Sequence, residues 1–204
     1  MEIAPLAATL GQWSPHHVDL VTTGVGMVAT AVHCARALAH TRYDLALNLG
    51  VCGSFDPMLS PGAVVHVVAD RFSEMGAEDG ETFLTIHELK LLDEDAFPFH
   101  AGELVNAGPP SNAVLDGLRA VRGITVNTVH GDERSIATVT RRFHPQVETM
   151  EGAAFMYACL VADVLFAQVR AVSNVVERRN RESWRLAEAI ANLNTTARAI
   201  LEAV

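Results

Sequence analysis

The stretch VLFAQVRAVSN, residues 164–174, decides the fold class of this 204-residue chain. It is apolar over most of its length, which is typical of a strand that is buried on both faces of a sheet. A helical pattern follows it, in which apolar residues recur on one face of the tail: Leu186, Ile190, Leu193, Ala197 and Leu201. A buried strand next to an amphipathic helix indicates a sheet that is covered by helices.

Four further stretches look like strands, and they lie at 18–24, 43–50, 62–70 and 123–131. Helical patterns occupy 31–38 and 153–161. Ser111 is placed to cap another helix, which carries Val114, Leu115, Leu118 and Val121. The alternation predicts an α/β fold, a three-layer αβα sandwich with a mixed, largely parallel central sheet, in one domain spanning residues 1–204. The acidic, turn-rich segment 71–100 is expected to be a long loop or excursion over the site.

The composition excludes several classes of protein. Half of the residues are apolar and 19% are charged, so the chain can bury a core. The net charge of −9 argues against a nucleic-acid partner. Three widely spaced cysteines indicate neither a disulfide framework nor a zinc site, and we expect no metal and no other cofactor. The longest apolar stretch is too short to span a membrane and no signal peptide precedes it, so we expect a cytoplasmic protein without a membrane partner.

The candidate ligand site lies at the polar and glycine-rich strand exits, because ligands of such sheets bind at the carboxyl ends of the strands. GVGMVA (24–29) has the form of a dinucleotide fingerprint, but no acidic residue ends the next strand, where Asn48 stands. Its glycines therefore form a dinucleotide loop, a plain tight turn, or a phosphate- or ribose-binding loop of another α/β family. These three interpretations remain open on the pattern alone.

Small residues at a second exit allow a flat ligand to approach the backbone. NLGVCGSF (48–55) places Gly50 and Gly53 around Val51 and Cys52, although a plain turn explains the pattern equally well. Cys52 is weakly supported as a nucleophile, because no paired histidine can be assigned.

Carboxylates mark a third candidate. Glu148 and Glu151 come just before or at a helix start, where the helix dipole favours acids without any function. They are also placed to accept hydrogen bonds from sugar hydroxyls. The arginines of 178–185 form either a solvated face or a local basic site.

Four motifs together resemble the purine nucleoside phosphorylase/nucleosidase superfamily, from about residue 2 to residue 200. GVGMVATA (24–31) is similar to its glycine turn, and NLGVCGSF to the segment that passes the base and sugar. TMEGAA (149–154) is similar to its M-E-G/A motif, and RAVSN (170–174) to the strand end that reads the purine. NTVHGDERSI (127–136) and SNVVERRNRESW (173–184) further resemble its futalosine hydrolase branch.

The resemblance implies hydrolysis of the N-glycosidic bond of futalosine, in menaquinone biosynthesis, to hypoxanthine and dehypoxanthine futalosine. It implies that Met150 packs on the ribose, that Glu151 binds the ribose hydroxyls and that Glu2 activates water. It places Trp184 near the 5′ substituent, which is a carboxyphenyl ketone. The carboxylate of this group would pair with one of the four arginines Arg178, Arg179, Arg181 and Arg185. The segments that it places around base and sugar contain Val51, Cys52, Gly53 and Ser173. A homodimer or larger homo-oligomer is also implied.

Asn174 bears on the identity of the base. Adenine-specific members of the family carry Asp at the matching position, where the carboxyl group handles N7 and an exocyclic amine. Hypoxanthine presents two acceptors, N7 and O6, and the Asn NH₂ group offers two donors. Asn174 therefore favours a 6-oxopurine over adenine.

The sequence departs from the family pattern at its start, and rival activities stay open. The family has a buried strand ahead of the water-activating glutamate, whereas this chain begins at Met1 and Glu2, so we expect the sheet to lack that first strand. The alternatives are another purine nucleosidase, a phosphorylase, which would want basic groups near the glycine turn, and a non-catalytic nucleoside-binding protein.

Overall fold

The computed structural model describes residues 2–14 and 16–204, apart from the side chains of Gln12 and Trp13. In these residues the strands are β1 Ala46–Ser54, β2 Val64–Asp70, β3 Gly76–Asp79, β4 Thr82–Thr85, β5 Leu104–Val105, β6 Arg119–Thr125, β7 Val147–Thr149 and β8 Phe166–Val175. The helices are α1 Ala4–Trp13, α2 Met27–His40, α3 Ala113–Gly117, α4 Glu133–Phe143, α5 Gly152–Ala162 and α6 Leu186–Glu202, and Arg181–Ser183 forms a 3₁₀ turn.

The main sheet confirms the predicted mixed α/β architecture. Its strand order is β5-β2-β6-β7-β1-β8, and β3 and β4 form a separate hairpin. The pairs β1–β8, β2–β6 and β6–β7 are parallel, whereas β1–β7 and β2–β5 are antiparallel. Strand β2 also pairs antiparallel with β8, so that five strands close into a ring. The pairing of β1 with both β7 and β8 brings the ends of these three strands side by side.

Each layer of the sandwich has its own apolar cluster. The cluster of the ring takes one or more residues from each of its five strands: Cys52, Val65, Val67, Val121, Val147 and Val172. Helix α6 covers the sheet through Ala189, Leu193 and Ile200, which pack on β8. Helices α2 and α5 form the opposite layer, where Ala153, Phe155 and Met156 are buried. The all-apolar α5 pattern follows from this position between α2 and the sheet.

One of the predicted strands is absent from the structure, and another has different bounds. Residues 18–24 form no strand, and Leu20 and Val21 are more than 40% exposed, because no strand pairs with this stretch among the described residues. The strand predicted at 123–131 is β6, which begins earlier and ends at Thr125. The strands predicted at 43–50, 62–70 and within 164–174 are confirmed as β1, β2 and β8, and β1 continues through its glycines to Ser54.

The predicted helix after Ser111 is also corrected. Its cap is Asn112, whose Oδ1 accepts hydrogen bonds from the N–H groups of Val114 and Leu115 at 3.0 and 3.2 Å. The helix ends at Gly117, and Val121 belongs to β6. Helix α4 and strand β7 were not predicted. The segment 71–100 leaves the main sheet after a bridge between Phe72 and Thr125, and it contains the β3–β4 hairpin.

The start of the chain is held by the last helix. Helix α1 begins at Ala4, two residues after Glu2, and the N–H of Leu6 donates to Oδ1 of Asn194 at 2.9 Å. Nδ2 of Asn194 donates in return to the carbonyl oxygen of Glu2 at 2.7 Å. In the described part of the chain, no helix is long and apolar enough to cross a membrane, and no cluster of three metal-ligating side chains occurs.

Candidate active site

The glycine turn before α2 is joined to the start of α5. Gly24 and Gly26 have φ angles of +84° and +94°, which L side chains adopt only with strain. The N–H of Gly26 donates to Oε1 of Glu151 at 3.0 Å, across 125 residues of sequence. A free N–H at such a turn would suit a phosphate, but here a carboxylate of the chain occupies it. The turn and Glu151 therefore form one unit.

A buried arginine faces this carboxylate. Nη1 of Arg170 lies 3.9 Å from Oε2 of Glu151, and the Arg170 side chain is 3% exposed. Among the described residues, its Nε and Nη2 have no hydrogen-bond partner, and neither has Nδ2 of Asn48. Buried donors without acceptors are costly, at roughly 1–3 kcal/mol each. Arg170 therefore carries two donors that the described residues leave unpaired beside Glu151, and Asn48 carries a third.

Gly50 makes room for that guanidinium. Gly50 and Arg170 are register partners on β1 and β8, and a Cβ atom at Gly50 would collide with Nη1. The glycine is therefore required by close approach, as NLGVCGSF predicts for Gly50, although the group that approaches is a side chain of the protein.

A second constellation surrounds Gly53. Glu148 and Asn174 are the register partners of Gly53 on its two sides, on β7 and β8. A Cβ atom at Gly53 would lie 3.4 Å from Cγ of Glu148 and 3.5 Å from Nδ2 of Asn174. Both side chains therefore lean over the same glycine, and together the three residues form a row across the ends of three strands.

Asn174 has its amide fixed by its neighbours. Its Nδ2 donates to the carbonyl oxygen of Val175 at 2.9 Å, and Oγ of Ser173 donates to its Oδ1 at 2.8 Å. One N–H of the amide remains for a ligand. A carboxylate in the same place would bring an oxygen against the Val175 carbonyl.

Glu148 is paired with His130, which lies eighteen residues earlier in the sequence. Its Oε2 accepts from Nδ1 of His130 at 2.7 Å, and its Oε1 accepts from the backbone N–H of His130 at 3.1 Å. The two side chains are only 4% and 13% exposed. Phe55 contacts the imidazole edge-on, with ring centroids 6.1 Å apart.

A buried polar network holds the segment that carries Glu151. Oδ1 of Asp70 accepts from Oγ1 of Thr125 at 3.0 Å, and that hydroxyl accepts from the N–H of Ala153 at 2.7 Å. Oγ1 of Thr149 accepts from the N–H of Gly152 at 3.0 Å. Two N–H groups at the start of α5 are thus bound to threonines of β6 and β7, which orients the turn that contains Glu151.

The other predicted site residues fall into different surroundings. Cys52 is buried in the ring cluster, and burial raises the pKa of its thiol to about 12, so it is no nucleophile at neutral pH. The Val51 side chain packs towards α6 and can offer only its backbone to a ligand. Met150 packs with Ile124 and Val126 beside α4. The hydroxyl of Ser173 is used by Asn174 and by the carbonyl oxygen of Cys52.

The segment after β8 places its arginines in different surroundings. The N–H of Arg185 donates to the carbonyl oxygen of Ser173 at 2.8 Å, which brings Trp184 near the end of β8. The guanidinium groups of Arg179 and Arg181 lie 5.5 and 5.9 Å from the Trp184 ring. Arg178 instead lines a groove of about 760 Å³ against α4, with Ile136, Arg141 and Val176.

The structure thus brings Glu151 together with Arg170 and Asn174 together with Gly53 and Glu148. It positions Glu2 through the contact with α6 that is described above. The sequence indicated the strand exits that begin at Asn48 and His130 as places for a ligand, but it gave no role to either side chain or to Arg170. The signal for Arg170 was its position, a charged residue inside an apolar strand.

Comparison with known proteins supports one family. The family model of the phosphorylase superfamily matches residues 4–204. Futalosine hydrolase of Streptomyces coelicolor is 33% identical over 186 residues, which cover 88% of this chain and 76% of the relative. Futalosine hydrolase of Thermus thermophilus is 30% identical over 185 residues, which cover 88% and 79%.

Solved structures agree in fold. Futalosine hydrolase of Helicobacter pylori superposes with a TM-score of 0.76 at 13% identity, over 100% of this chain and 94% of that one. The 5′-methylthioadenosine/S-adenosylhomocysteine nucleosidase of Neisseria meningitidis, in complex with methylthio-immucillin-A, gives 0.77 at 16% identity, over 100% and 95%. The chain therefore belongs to the phosphorylase superfamily and, within it, to the family of the futalosine hydrolases.

Proposed function

We propose that this protein hydrolyses the N-glycosidic bond of futalosine and releases hypoxanthine and dehypoxanthine futalosine, a step of menaquinone biosynthesis. The observation that carries the proposal is the buried Arg170 beside Glu151, with unpaired Nε and Nη2 donors. A ribose with a water molecule beside it supplies the oxygen atoms that these donors lack. The names of the relatives identify the nucleoside.

Glu151 carries the charge that the reaction needs. Glycosidic cleavage passes through a state in which positive charge builds up on the sugar. Glu151 accepts hydrogen bonds from the 2′ and 3′ hydroxyls and stabilises that charge, while its bond to Gly26 holds it in place. Met150 packs on the sugar ring, and the backbone of Val51, Cys52 and Gly53 passes beside the ligand.

Asn174 receives the base. Its free N–H donates to the N7 and O6 edge of hypoxanthine, and Ser173 keeps the amide oriented. Donation to O6 stabilises the negative charge that moves into the leaving purine. An unprotonated carboxylate there would be repelled by both acceptors, which gives selection against adenine by the hydrogen-bond pattern.

Two further roles, activation of water and binding of the 5′ substituent, fall to residues near the two ends of the chain. We assign activation of water to Glu2, because the resemblance to the family places the water-activating glutamate at this position. Trp184 stacks on the carboxyphenyl group, and Arg178 pairs with its carboxylate. Single replacement of Arg178, Arg179, Arg181 and Arg185 should raise the KM for futalosine in one case, and four unchanged KM values would contradict the assignment.

Phosphorolysis is the second candidate, because Arg170 is a cation of the kind that phosphate requires. Hydrolysis is favoured, since the Gly26 N–H is taken by Glu151 and the Glu151 carboxylate repels an anion. The experiment offers futalosine, inosine and methylthioadenosine, each with and without phosphate, and follows free base and the sugar product. Hypoxanthine release from futalosine without phosphate supports the proposal. Strict dependence on phosphate would establish a phosphorylase, and binding without turnover a nucleoside-binding protein.

We also propose that the protein is a homodimer or larger homo-oligomer in the cytoplasm. Val25, Val28 and Val32 form an exposed apolar strip at the start of α2, and each is at least 60% exposed. Such strips mark contact surfaces. The mass in solution, measured by light scattering, should be two or more times the 21.9 kDa of one chain. A monomer at micromolar concentration would contradict this. The three free thiols fit a reducing compartment.

A further inference from the structure

His130 and Glu148 form a partly buried acid–base pair at the end of the sheet where Asn174 lies. Glu148 binds both Nδ1 and the backbone N–H of His130, which fixes the imidazole in one orientation. With Nδ1 facing the carboxylate, the proton on Nδ1 is held there, and Nε2 is the nitrogen that can exchange a proton. In the described part of the chain, no hydrogen-bond partner of Nε2 is found.

The pair reaches the proposed base site through Gly53. Glu148 and Asn174 flank Gly53 in register, and both come within 3.5 Å of the point where its Cβ atom would be. Cγ2 of Val176 lies at 2.9 Å from the same point, so the three side chains meet over the glycine. The His130 loop also packs against the segment after Asn174, because Gly131 faces the backbone of Arg179. The imidazole therefore belongs to the rim that Asn174 forms.

Asn174, the residue assigned to the base, cannot supply the proton that the leaving purine needs. Hypoxanthine leaves as a neutral molecule only if the purine takes up a proton as the bond to the sugar breaks. An asparagine amide can donate a hydrogen bond, but it cannot transfer a proton. A histidine next to a carboxylate is the usual side chain for this task near neutral pH.

We infer that His130, oriented by Glu148, is the general acid that protonates the leaving purine, an inference that rests on the proposed function. The C1′–N9 bond breaks and its electron pair passes into the purine, while the imidazolium transfers its Nε2 proton to N7. Water adds to C1′, Glu2 takes up the proton that the water releases and passes it to solvent, and His130 is charged again from solvent. One water is consumed, and neutral hypoxanthine departs. Asn174 accordingly orients the base, and His130 supplies the proton.

The test compares His130→Gln with the parent protein. Glutamine keeps an uncharged polar side chain of similar length at this position, but it cannot transfer a proton. We expect kcat for futalosine to fall by about 10²–10³-fold. The affinity for free hypoxanthine, measured by calorimetry, should change by less than about threefold, because the product needs no proton, and the midpoint of urea unfolding should be unchanged.

A second pair of residues provides a matched control. His100 and Asp95 form the same kind of contact, with Nδ1 3.1 Å from Oδ1, at an exposed place in the excursion. His100→Gln should retain kcat within about twofold, since it has no part in the proposed proton transfer. Equal loss of kcat and of hypoxanthine affinity in His130→Gln would reassign His130 to binding alone. Full activity of His130→Gln would overturn the inference and leave the proposed function intact, whereas a parent protein without hypoxanthine release would overturn both.

Discussion

The guanidinium of Arg170 lies against the backbone of Gly50, its register partner on the neighbouring strand, and fills the space that a side chain there would need. The contact couples the two neighbouring strands β1 and β8 to Glu151, the carboxylate that the same guanidinium faces. A glycine in a buried strand is unfavourable by itself. Its presence here is explained by the arginine.

The first prediction concerns Gly50→Ala. The added methyl group displaces the Arg170 guanidinium from its position beside Glu151, because Arg170 is buried and has little room to move. We expect kcat/KM for futalosine to fall by about 10²-fold, as small misplacements of catalytic groups do, and the free energy of unfolding to fall by about 1–3 kcal/mol. Steady-state kinetics and urea unfolding measure the two effects.

Gly11→Ala is the control for this substitution. A Cβ atom at Gly11, inside helix α1, meets no atom within 4 Å. Activity should be unchanged and the free energy of unfolding should rise by about 0.5–1 kcal/mol, because alanine favours a helix over glycine. If Gly50→Ala behaved like Gly11→Ala, the proposed coupling of Gly50 to Arg170 and Glu151 would be wrong.

The second prediction concerns Asn174→Asp. The substitution keeps the size of the side chain but replaces the NH₂ group by an oxygen, which faces the Val175 carbonyl and the acceptors of hypoxanthine. We expect kcat/KM for futalosine to fall by roughly 10–100-fold, from the loss of about 1–3 kcal/mol of hydrogen bonding. Release of adenine from methylthioadenosine should fall less or rise. The same relative loss on both nucleosides would refute the role of Asn174 as the selector of the base.

Periodic apolar patterns predicted those strands and helices that carry a long apolar face in their own sequence. The strand within 164–174 and the helix at 186–201 are β8 and α6, because both have a long apolar face. The stretch 18–24 has strand-like composition, but a strand also requires a partner, which composition does not reveal. Strand β7 was missed for the opposite reason, since it is three residues long and is made by its neighbours β1 and β6.

The site could be predicted only as far as its motifs extend. The resemblance pointed to Glu151 and Asn174, whose positions at a helix start and a strand end are visible in the sequence. The partners of these residues depend on strand register. Arg170 meets Gly50 after 120 residues of chain, and His130 meets Glu148 through the pairing of β7 with β1 and β6. The burial of the Cys52 side chain could not be predicted from the sequence, because it depends on the closure of the sheet into a ring.

The third prediction concerns Glu151→Gln. A glutamine oxygen still accepts from Gly26, so the turn and α5 stay joined, but the negative charge beside the sugar is lost. We expect kcat to fall by about 10²–10³-fold, because stabilisation of developing charge is a large part of such catalysis. Glu202→Gln, at the exposed end of α6, should leave kcat unchanged. Retention of kcat in Glu151→Gln, measured with saturating futalosine, would remove Glu151 from the mechanism.

The fourth prediction concerns Asp70, which anchors the network under α5. Burial raises the pKa of Asp70 from its ordinary 3.8 to about 6, although hydrogen bonds from Gln168 and Thr125 and the charge of Arg170 lower it. Because the folded state binds this proton more tightly than the unfolded state, the stabilisation is fully present below about pH 4. It is lost as the pH rises through about 6, and it amounts to about 3 kcal/mol between these limits.

Asp70→Asn separates this effect from all other titrations. The asparagine amide accepts from Thr125 and from the N–H of Arg71 as the carboxylate does, and Gln168 can turn its unpaired Oε1 towards the new NH₂ group. The free energy of unfolding of the parent minus that of the variant should therefore increase by up to about 3 kcal/mol from pH 7 to pH 4. Urea unfolding at both pH values measures this difference. A difference that stays constant with pH would mean that Asp70 does not take up a proton in the folded protein.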